Sequence, residues 1–123
     1  MQKIIACILS FLLTIGLYSV AHAENETEKT ITVLATAYTA YCEGCIGITK
    51  TGQDLRKNPH LKVIAVDPKV IPLGSRVWVE GYGEAIAGDT GGAIKGNRID
   101  VFIEKHEDAM DWGRKTVQVK ILD

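Results

Sequence analysis

The sequence predicts a small, mainly β domain that folds as a barrel or a sandwich. Six short stretches are rich in β-branched and aromatic residues, and glycine or proline turns separate them. One short stretch alone has a clear helical pattern. The predicted strands cover residues 30–38, 61–67, 76–81, 83–89, 98–104 and 115–123.

The helical pattern covers residues 105–113. Acidic residues occur early in it, Ala109 and Met110 follow, and Gly113 stands where a C-terminal cap belongs. Residues 52–58 predict one further helical turn, which ends at Asn58 because a residue before proline disfavours helix. We therefore expect one or two short helices beside the six strands.

The first 23 residues have the pattern of a secretory signal peptide. Lys3 supplies a positive charge, residues 4–20 are almost wholly apolar, and residues 21–23 read Ala-His-Ala, a small-residue cleavage site. An uncleaved anchor is the alternative, since the apolar run approaches the length of a membrane span. We expect cleavage after Ala23, a flexible leader over residues 24–29, and a secreted or wall-associated domain over residues 30–123 without stable membrane insertion.

The composition argues against a nucleic-acid partner. Removal of 23 residues from the 123-residue chain leaves 100, enough for one small domain. Without Lys3, 13 basic residues oppose 15 acidic ones, a formal charge of −2. A protein that binds phosphate backbones normally concentrates positive charge on its surface. The sequence leaves the oligomeric state open.

Cys42 and Cys45 form a CEGC motif. In an exported protein, an even pair is most simply a disulfide. A reduced pair for thiol exchange and a metal site are the alternatives. Zinc would need two further ligands, and His60 and His106 stand alone, so we expect no metal and no cofactor.

A glycine-rich segment, GDTGGAIKGNRIDVFIE, covers residues 88–104. It is not a phosphate-binding loop, because that motif requires Gly-Lys-Ser/Thr at the start of a helix and Lys95 here precedes a strand. The Asp-Thr-Gly at Asp89 resembles one half of an aspartic protease site. That chemistry needs two such loops, so this chain would have to dimerise across the site.

Two further aspartates have both a structural and a chemical interpretation. Strand alternation places Asp100 on the face opposite Ile99 and Val101, beside Phe102, where partial desolvation would favour a protonated general acid. The alternative is an exposed aspartate paired with Arg98 or Lys95. Asp67 precedes a proline turn, and capping of that turn is its simplest role.

The sequence also contains four motifs in order: ATAYTAYCEGCIGITKTG (residues 35–52), IAVDPKVIPLGS (64–75), AGDTGGAIKGNRIDVF (87–102) and WGRKTVQVKIL (112–122). Together they resemble the 3D domain, which is named for three aspartates and occurs in secreted cell-wall proteins of Firmicutes. This domain is similar to the catalytic domain of membrane-bound lytic transglycosylase A. The resemblance implies a six-stranded double-psi β-barrel with Asp67, Asp89 and Asp100 in one groove.

The implied substrate is the glycan strand of peptidoglycan. A lytic transglycosylase cleaves its β-1,4 bond between N-acetylmuramic acid and N-acetylglucosamine and leaves a 1,6-anhydro ring. The resemblance makes Asp100 the acid and base, with Asp89 acting on its protonation and Asp67 completing the groove. Thr49 and Thr51 match a threonine-containing motif of the family and are expected to line the groove, with turn capping as the alternative, and Lys95 is expected to contact the sugar. Ring faces suit sugars, so Tyr38, Tyr41, Trp78 and Tyr82 are candidate stacking aromatics, with packing as the alternative. A non-catalytic module that binds peptidoglycan is the alternative function.

Overall fold

A computed structural model describes residues 28–123. The predicted signal peptide and most of the predicted leader lie outside the described residues. The described elements, in chain order, are β1 (Lys29–Tyr38), β2 (Val63–Ala65), β3 (Arg76–Val79), β4 (Gly83–Asp89), β5 (Arg98–Phe102), α1 (His106–Trp112) and β6 (Lys115–Ile121).

The six strands close into one barrel in the order β1-β5-β2-β4-β3-β6. The pairs β1–β5 and β2–β4 are parallel, and the other four are antiparallel. Parallel neighbours cannot be joined by a hairpin, so the connections must cross between distant parts of the sheet. The fold class predicted from the sequence is confirmed: a mainly β domain with a closed six-stranded barrel.

Strand alternation fills the barrel with aliphatic side chains. In β5, Ile99 and Val101 are fully buried, and Val33 and Ala35 of β1 face them from the neighbouring strand. Each such Val or Ile contributes about 1.5–3 kcal/mol relative to an exposed position. Because successive strand residues point to opposite faces, Asp100 must point away from this core.

The helix and some strand ends differ from the sequence-based boundaries. Helix α1 begins after Lys105, and Gly113 caps it with a φ of 67° and an N–H that donates to Ala109 O. The turn expected over residues 52–58 is present as a single turn, closed by the bond from Asn58 N to Asp54 O, and it does not extend into a helix. Strand β2 is shorter than predicted, and its register against β4 shifts between Ile64 and Ala65. Among residues 28–123, no helix is long and apolar enough to cross a membrane.

Candidate functional site

Strand β2 brings two of the three aspartates together. Ala65 is in register with Asp89 at the end of β4 on one side and with Asp100 of β5 on the other. The backbones of the two aspartates are therefore about two strand spacings apart, roughly 9–10 Å. Ala65 has a small side chain and lines the same cavity as the two carboxyl groups. We call Asp89 and Asp100 the acid pair.

The acid pair opens onto a cavity of about 200 Å³. One wall is the loop that begins at Asp89, and the opposite wall is a loop that carries both cysteines. The cavity is lined by Tyr38, Cys42, Cys45, Ala65, Asp89, Thr90, Gly91, Ile94 and Asp100. A partly buried carboxyl pair in a concave site is a candidate centre for acid–base chemistry.

Asp100 has the environment of a general acid. Its side chain is half-buried, and its Oδ1 accepts one hydrogen bond, from Thr36 Oγ1 at 2.9 Å. Burial raises the pKa of Asp100, and the nearby Asp89 carboxylate raises it further, while the Thr36 hydroxyl and the Arg98 charge oppose both effects. A raised pKa keeps more of the proton that a general acid has to donate near neutral pH.

Asp89 is held very differently from Asp100. Its Oδ2 accepts from the Tyr38 hydroxyl at 3.1 Å, and its Oδ1 accepts from the backbone N–H groups of Lys50 at 3.0 Å and Thr90 at 2.9 Å. All three partners are donors, which matches the acceptor-only character of an ionised carboxylate. Burial and the Asp89 carboxylate raise the pKa of Tyr38, so its hydroxyl remains a neutral donor.

Gly88 allows a second loop to reach Asp89. The Thr51 N–H donates to Gly88 O at 3.0 Å, which places the neighbouring Lys50 amide on Asp89. A Cβ on Gly88 would lie 2.7 Å from Gln53 Oε1 and 2.9 Å from Thr51 Oγ1, closer than real Cβ contacts. Glycine is required here because the loop crosses directly over its backbone.

Thr49 and Thr51, predicted to line the groove, act inside this loop. The Thr49 hydroxyl is buried, donates to the Gln53 side chain and accepts from Gln53 N at 3.0 Å. Thr51 Oγ1 lies 2.7 Å from Gln53 Oε1 and 2.9 Å from Gly88 O. Both hydroxyls therefore fix the loop that supports Asp89, and neither lines the acid-pair cavity.

Asp67 and Lys95 lie apart from the acid pair. The Asp67 carboxylate accepts from Gly96 N at 2.8 Å and Lys69 N at 3.0 Å, and these bonds, with the Lys95 charge, lower its pKa. Neither residue lines the cavity. Arg98, not Lys95, is the cation that acts on Asp100. Asp67 thus caps the proline turn and fastens it to the loop before β5.

The predicted sugar-stacking aromatics are also dispersed. Tyr38 alone lines the acid-pair cavity, and its ring packs against Phe102 with centroids 5.8 Å apart. Trp78 is on β3, with Lys120 Nζ 5.3 Å from its ring. The Tyr82 hydroxyl donates to Phe102 O at 2.6 Å. Trp78 and Tyr82 thus make contacts within the barrel and do not line the acid-pair cavity, while Tyr41 is exposed and lines a neighbouring depression.

The two cysteines belong to the wall of the site. Cys42 and Cys45 are paired as a disulfide, with Cα atoms 5.2 Å apart. Both line the acid-pair cavity. We call residues 40–47 the cystine loop.

Sequence reasoning missed Thr36, the hydrogen-bond partner of Asp100. Thr36 pairs directly with Asp100 in the parallel β1–β5 register. The sequence feature that points to Thr36 is its position two residues before Tyr38, because strand alternation places both side chains on the same face of β1. That signal becomes informative only when the pairing of β1 with β5 is known.

Comparison with known proteins gives consistent matches to one domain. The family model described as "3D domain" matches residues 62–123. The "Cell wall-binding protein YocH" of Bacillus subtilis (strain 168) is 66% identical over 99 residues, covering 80% of this chain and 34% of that protein. The "Putative cell wall shaping protein YabE" of the same organism is 61% identical over 104 residues, covering 85% of this chain and 26% of that protein.

Two further matches are more distant. The "SPbeta prophage-derived uncharacterized protein YorM" of Bacillus subtilis (strain 168) is 48% identical over 98 residues, covering 74% of this chain and 41% of that protein. The solved structure titled "Crystal structure of MltA from E. coli" matches with a TM-score of 0.40 and 24% identity, over 48% of this chain and 23% of that one. The chain thus spans between about a quarter and two fifths of the length of these curated relatives.

Proposed function

Because the chain belongs to the 3D-domain family, we propose that it acts on peptidoglycan as a secreted lytic transglycosylase of the cell wall. Two of the curated relatives are named as a cell wall-binding and a putative cell wall shaping protein, which supports the choice of the wall as its place of action. The observation that carries the proposed activity is the half-buried Asp100, whose raised pKa suits a proton donor.

Asp100 would act twice in one catalytic cycle. As an acid it protonates the glycosidic oxygen between N-acetylmuramic acid and N-acetylglucosamine. As a carboxylate it then removes the proton of the muramyl C6 hydroxyl, whose oxygen attacks C1 and closes the 1,6-anhydro ring. No water is consumed, and the carboxyl recovers its proton at the end, so one group suffices.

Asp89 supports this cycle through its charge. It lies close enough to raise the pKa of Asp100, and its three donors hold it in place. A fixed negative charge also stabilises the oxocarbenium-like cation that develops at C1. A hydrolase would instead use Asp89 as a second reacting carboxyl and release reducing ends. The chemical nature of the new ends therefore separates the two mechanisms.

A non-catalytic wall-binding module is the second candidate function. The observation that favours it is that the relative with 66% identity is named as a cell wall-binding protein. In this case the cavity holds glycan without cleaving it.

Mass spectrometry of the soluble products tests these alternatives. Purified protein is incubated with peptidoglycan, in parallel with Asp100→Asn and with Asp111→Asn, which removes an exposed carboxylate from α1. We expect 1,6-anhydromuramic ends from the wild type and from Asp111→Asn, and none from a folded Asp100→Asn. Reducing ends would replace the transglycosylase with a hydrolase. Absence of products from protein that sediments with the wall would favour the binding module.

A further inference from the structure

The cystine loop takes part in three adjoining depressions that meet at Tyr38. Cys42 and Cys45 line the acid-pair cavity. Cys45 also lines a cavity of about 110 Å³ that reaches Asp89 from the other side of Tyr38. Tyr41 and Cys42 line a third depression of about 370 Å³, which extends toward α1. The position of this one loop therefore determines the shape of the surface around the acid pair.

The residues of the cystine loop make few contacts of their own that would fix the loop against the barrel. Ala40, its first residue, is buried in a small hydrophobic cluster, but Tyr41, Glu43 and Ile46 are exposed, so burial of side chains anchors the loop only where it begins. The disulfide and the bond from Cys45 N to Cys42 O close the loop on itself without joining it to the barrel. Something outside the loop has to fix it against the strands.

Arg56 supplies that connection at both ends of the loop. Its Nε donates to Ala40 O at 3.0 Å, and its Nη2 donates to Cys45 O at 2.8 Å. Its guanidinium carbon also lies 4.7 Å from the centre of the Tyr41 ring. Within residues 28–123, the other hydrogen bonds that hold the loop from outside are one from Leu55 N to Gly47 O and one from Tyr41 N to the adjoining Thr39.

Gly47 shows that the loop is built around the arginine stem. A Cβ on Gly47 would lie 2.7 Å from both Cγ and Nε of Arg56, and the φ of Gly47 is 82°. Only glycine allows the Arg56 side chain to lie directly on the backbone here. The planar guanidinium can donate to two carbonyl groups at fixed angles, whereas a lysine ammonium is a single point donor.

We propose that Arg56 is a positioning residue, which fixes the cystine loop as the wall of the substrate site around the acid pair. It acts through the loop and contacts neither Asp89 nor Asp100. Its loss therefore weakens substrate binding and leaves the titration of Asp100 unchanged. The kinetic part of this inference depends on the proposed cleavage activity, and the structural part does not.

The test compares Arg56→Met with Lys57→Met in the whole protein. Both remove one positive charge, but the Lys57 side chain holds no hydrogen bond within residues 28–123. In Arg56→Met, we expect faster hydrogen exchange at Leu55 N–H and over residues 40–47. We also expect kcat/KM about tenfold lower, mainly through KM, with an unchanged pH profile. Lys57→Met should match the wild type in all three measurements, and Arg56→Lys should restore little.

Several results would overturn the inference. Wild-type exchange over residues 40–47 in Arg56→Met would show that the arginine does not hold the loop. A shifted pH profile would mean that Arg56 acts on Asp100 directly. If Arg56→Met does not fold, Gly47→Ala, whose Cβ displaces the arginine stem, has to show the same faster exchange and raised KM. If the wild type cleaves nothing, sedimentation with peptidoglycan replaces KM, and unchanged binding by Arg56→Met then refutes the inference.

Discussion

Asp67 and Asp100 are the same residue type in two opposite environments. The Asp67 carboxylate accepts two backbone N–H groups, which lower its pKa. Asp100 is half-buried and accepts one side-chain hydroxyl, and burial raises its pKa. Hydrogen bonds to a carboxylate favour its charged form, whereas desolvation favours the neutral acid.

This difference separates the two aspartates by role. A carboxylate that is already ionised at low pH can fasten a turn, but it has no proton to donate. A half-buried carboxyl retains its proton over a wider range of pH. The environments therefore suit Asp67 to holding the turn and Asp100 to the proposed role of acid, although both belong to the three aspartates that the family resemblance singled out.

The largest expected contrast between Asp100 and Asp67 is in the rate of cleavage after each is replaced by asparagine. We expect Asp100→Asn to lose about 10²–10⁴-fold in kcat, the usual contribution of a general acid. Asp67→Asn should stay within about tenfold of the wild type, because the amide oxygen still accepts one of the two backbone bonds. Initial rates of release of soluble muropeptides measure both. An inactive but folded Asp67→Asn would place Asp67 in the chemistry.

Gly88→Ala is expected to have the next largest effect, through Asp89. The added Cβ meets Gln53 and Thr51, so the loop has to move and the Lys50 N–H is withdrawn from Asp89. A displacement of about 1 Å at a catalytic group can cost up to about 10²-fold in rate. Gly92→Ala is the matched control, since its Cβ would meet nothing within 4 Å. Equal rates for the two variants would show that the loop does not support the site.

The sequence predicted the strands well because their signal is local. Alternation around Ile99 and Val101 marks the inward face of β5 whatever the strand pairs with. β4 has the predicted bounds, and β1 begins one residue before the predicted start. The Asp100 position followed from the same alternation together with the family resemblance.

The sequence could not supply what depends on pairing between distant strands. Thr36 and Asp100 are 64 residues apart, and only the parallel β1–β5 register joins them. Trp78 has a residue type suited to sugars, but its strand, β3, is not a neighbour of β2 or β5 in the closed barrel, and Trp78 does not line the acid-pair cavity. Arg56 stands in a polar stretch and resembles an ordinary exposed arginine until the cystine loop folds over it. All three positions depend on tertiary contacts that local sequence patterns do not specify.

Thr36→Val tests the hydrogen bond that moderates Asp100. The Thr36 hydroxyl lowers the pKa of Asp100, so its removal should raise that pKa further. Catalysis requires the protonated acid, and the alkaline limb of the pH–rate profile should therefore move to higher pH. Thr36→Ser keeps the hydroxyl and should keep the wild-type profile. A shift of the limb to lower pH in Thr36→Val would contradict the assignment of Thr36 as donor to the carboxylate.

The smallest expected effect is on the melting temperature, Tm, and its sign is opposite for the asparagine variants of Asp100 and Asp67. The raised pKa of Asp100 gives a stabilising contribution below its unfolded pKa, and this is lost as the pH rises through the folded value. Above the folded pKa, ionisation of the half-buried Asp100 carboxyl lowers stability, and Asp100→Asn should there raise Tm by about a few degrees. The lowered pKa of Asp67 gives a contribution present above its unfolded pKa, which is lost as the pH falls through the folded value. Asp67→Asn should accordingly lower Tm at pH 7. Melting curves recorded toward pH 3 should show that the Tm differences of both variants from the wild type shrink. A decrease in Tm for Asp100→Asn at pH 7 would mean that the carboxylate is better solvated than its burial indicates.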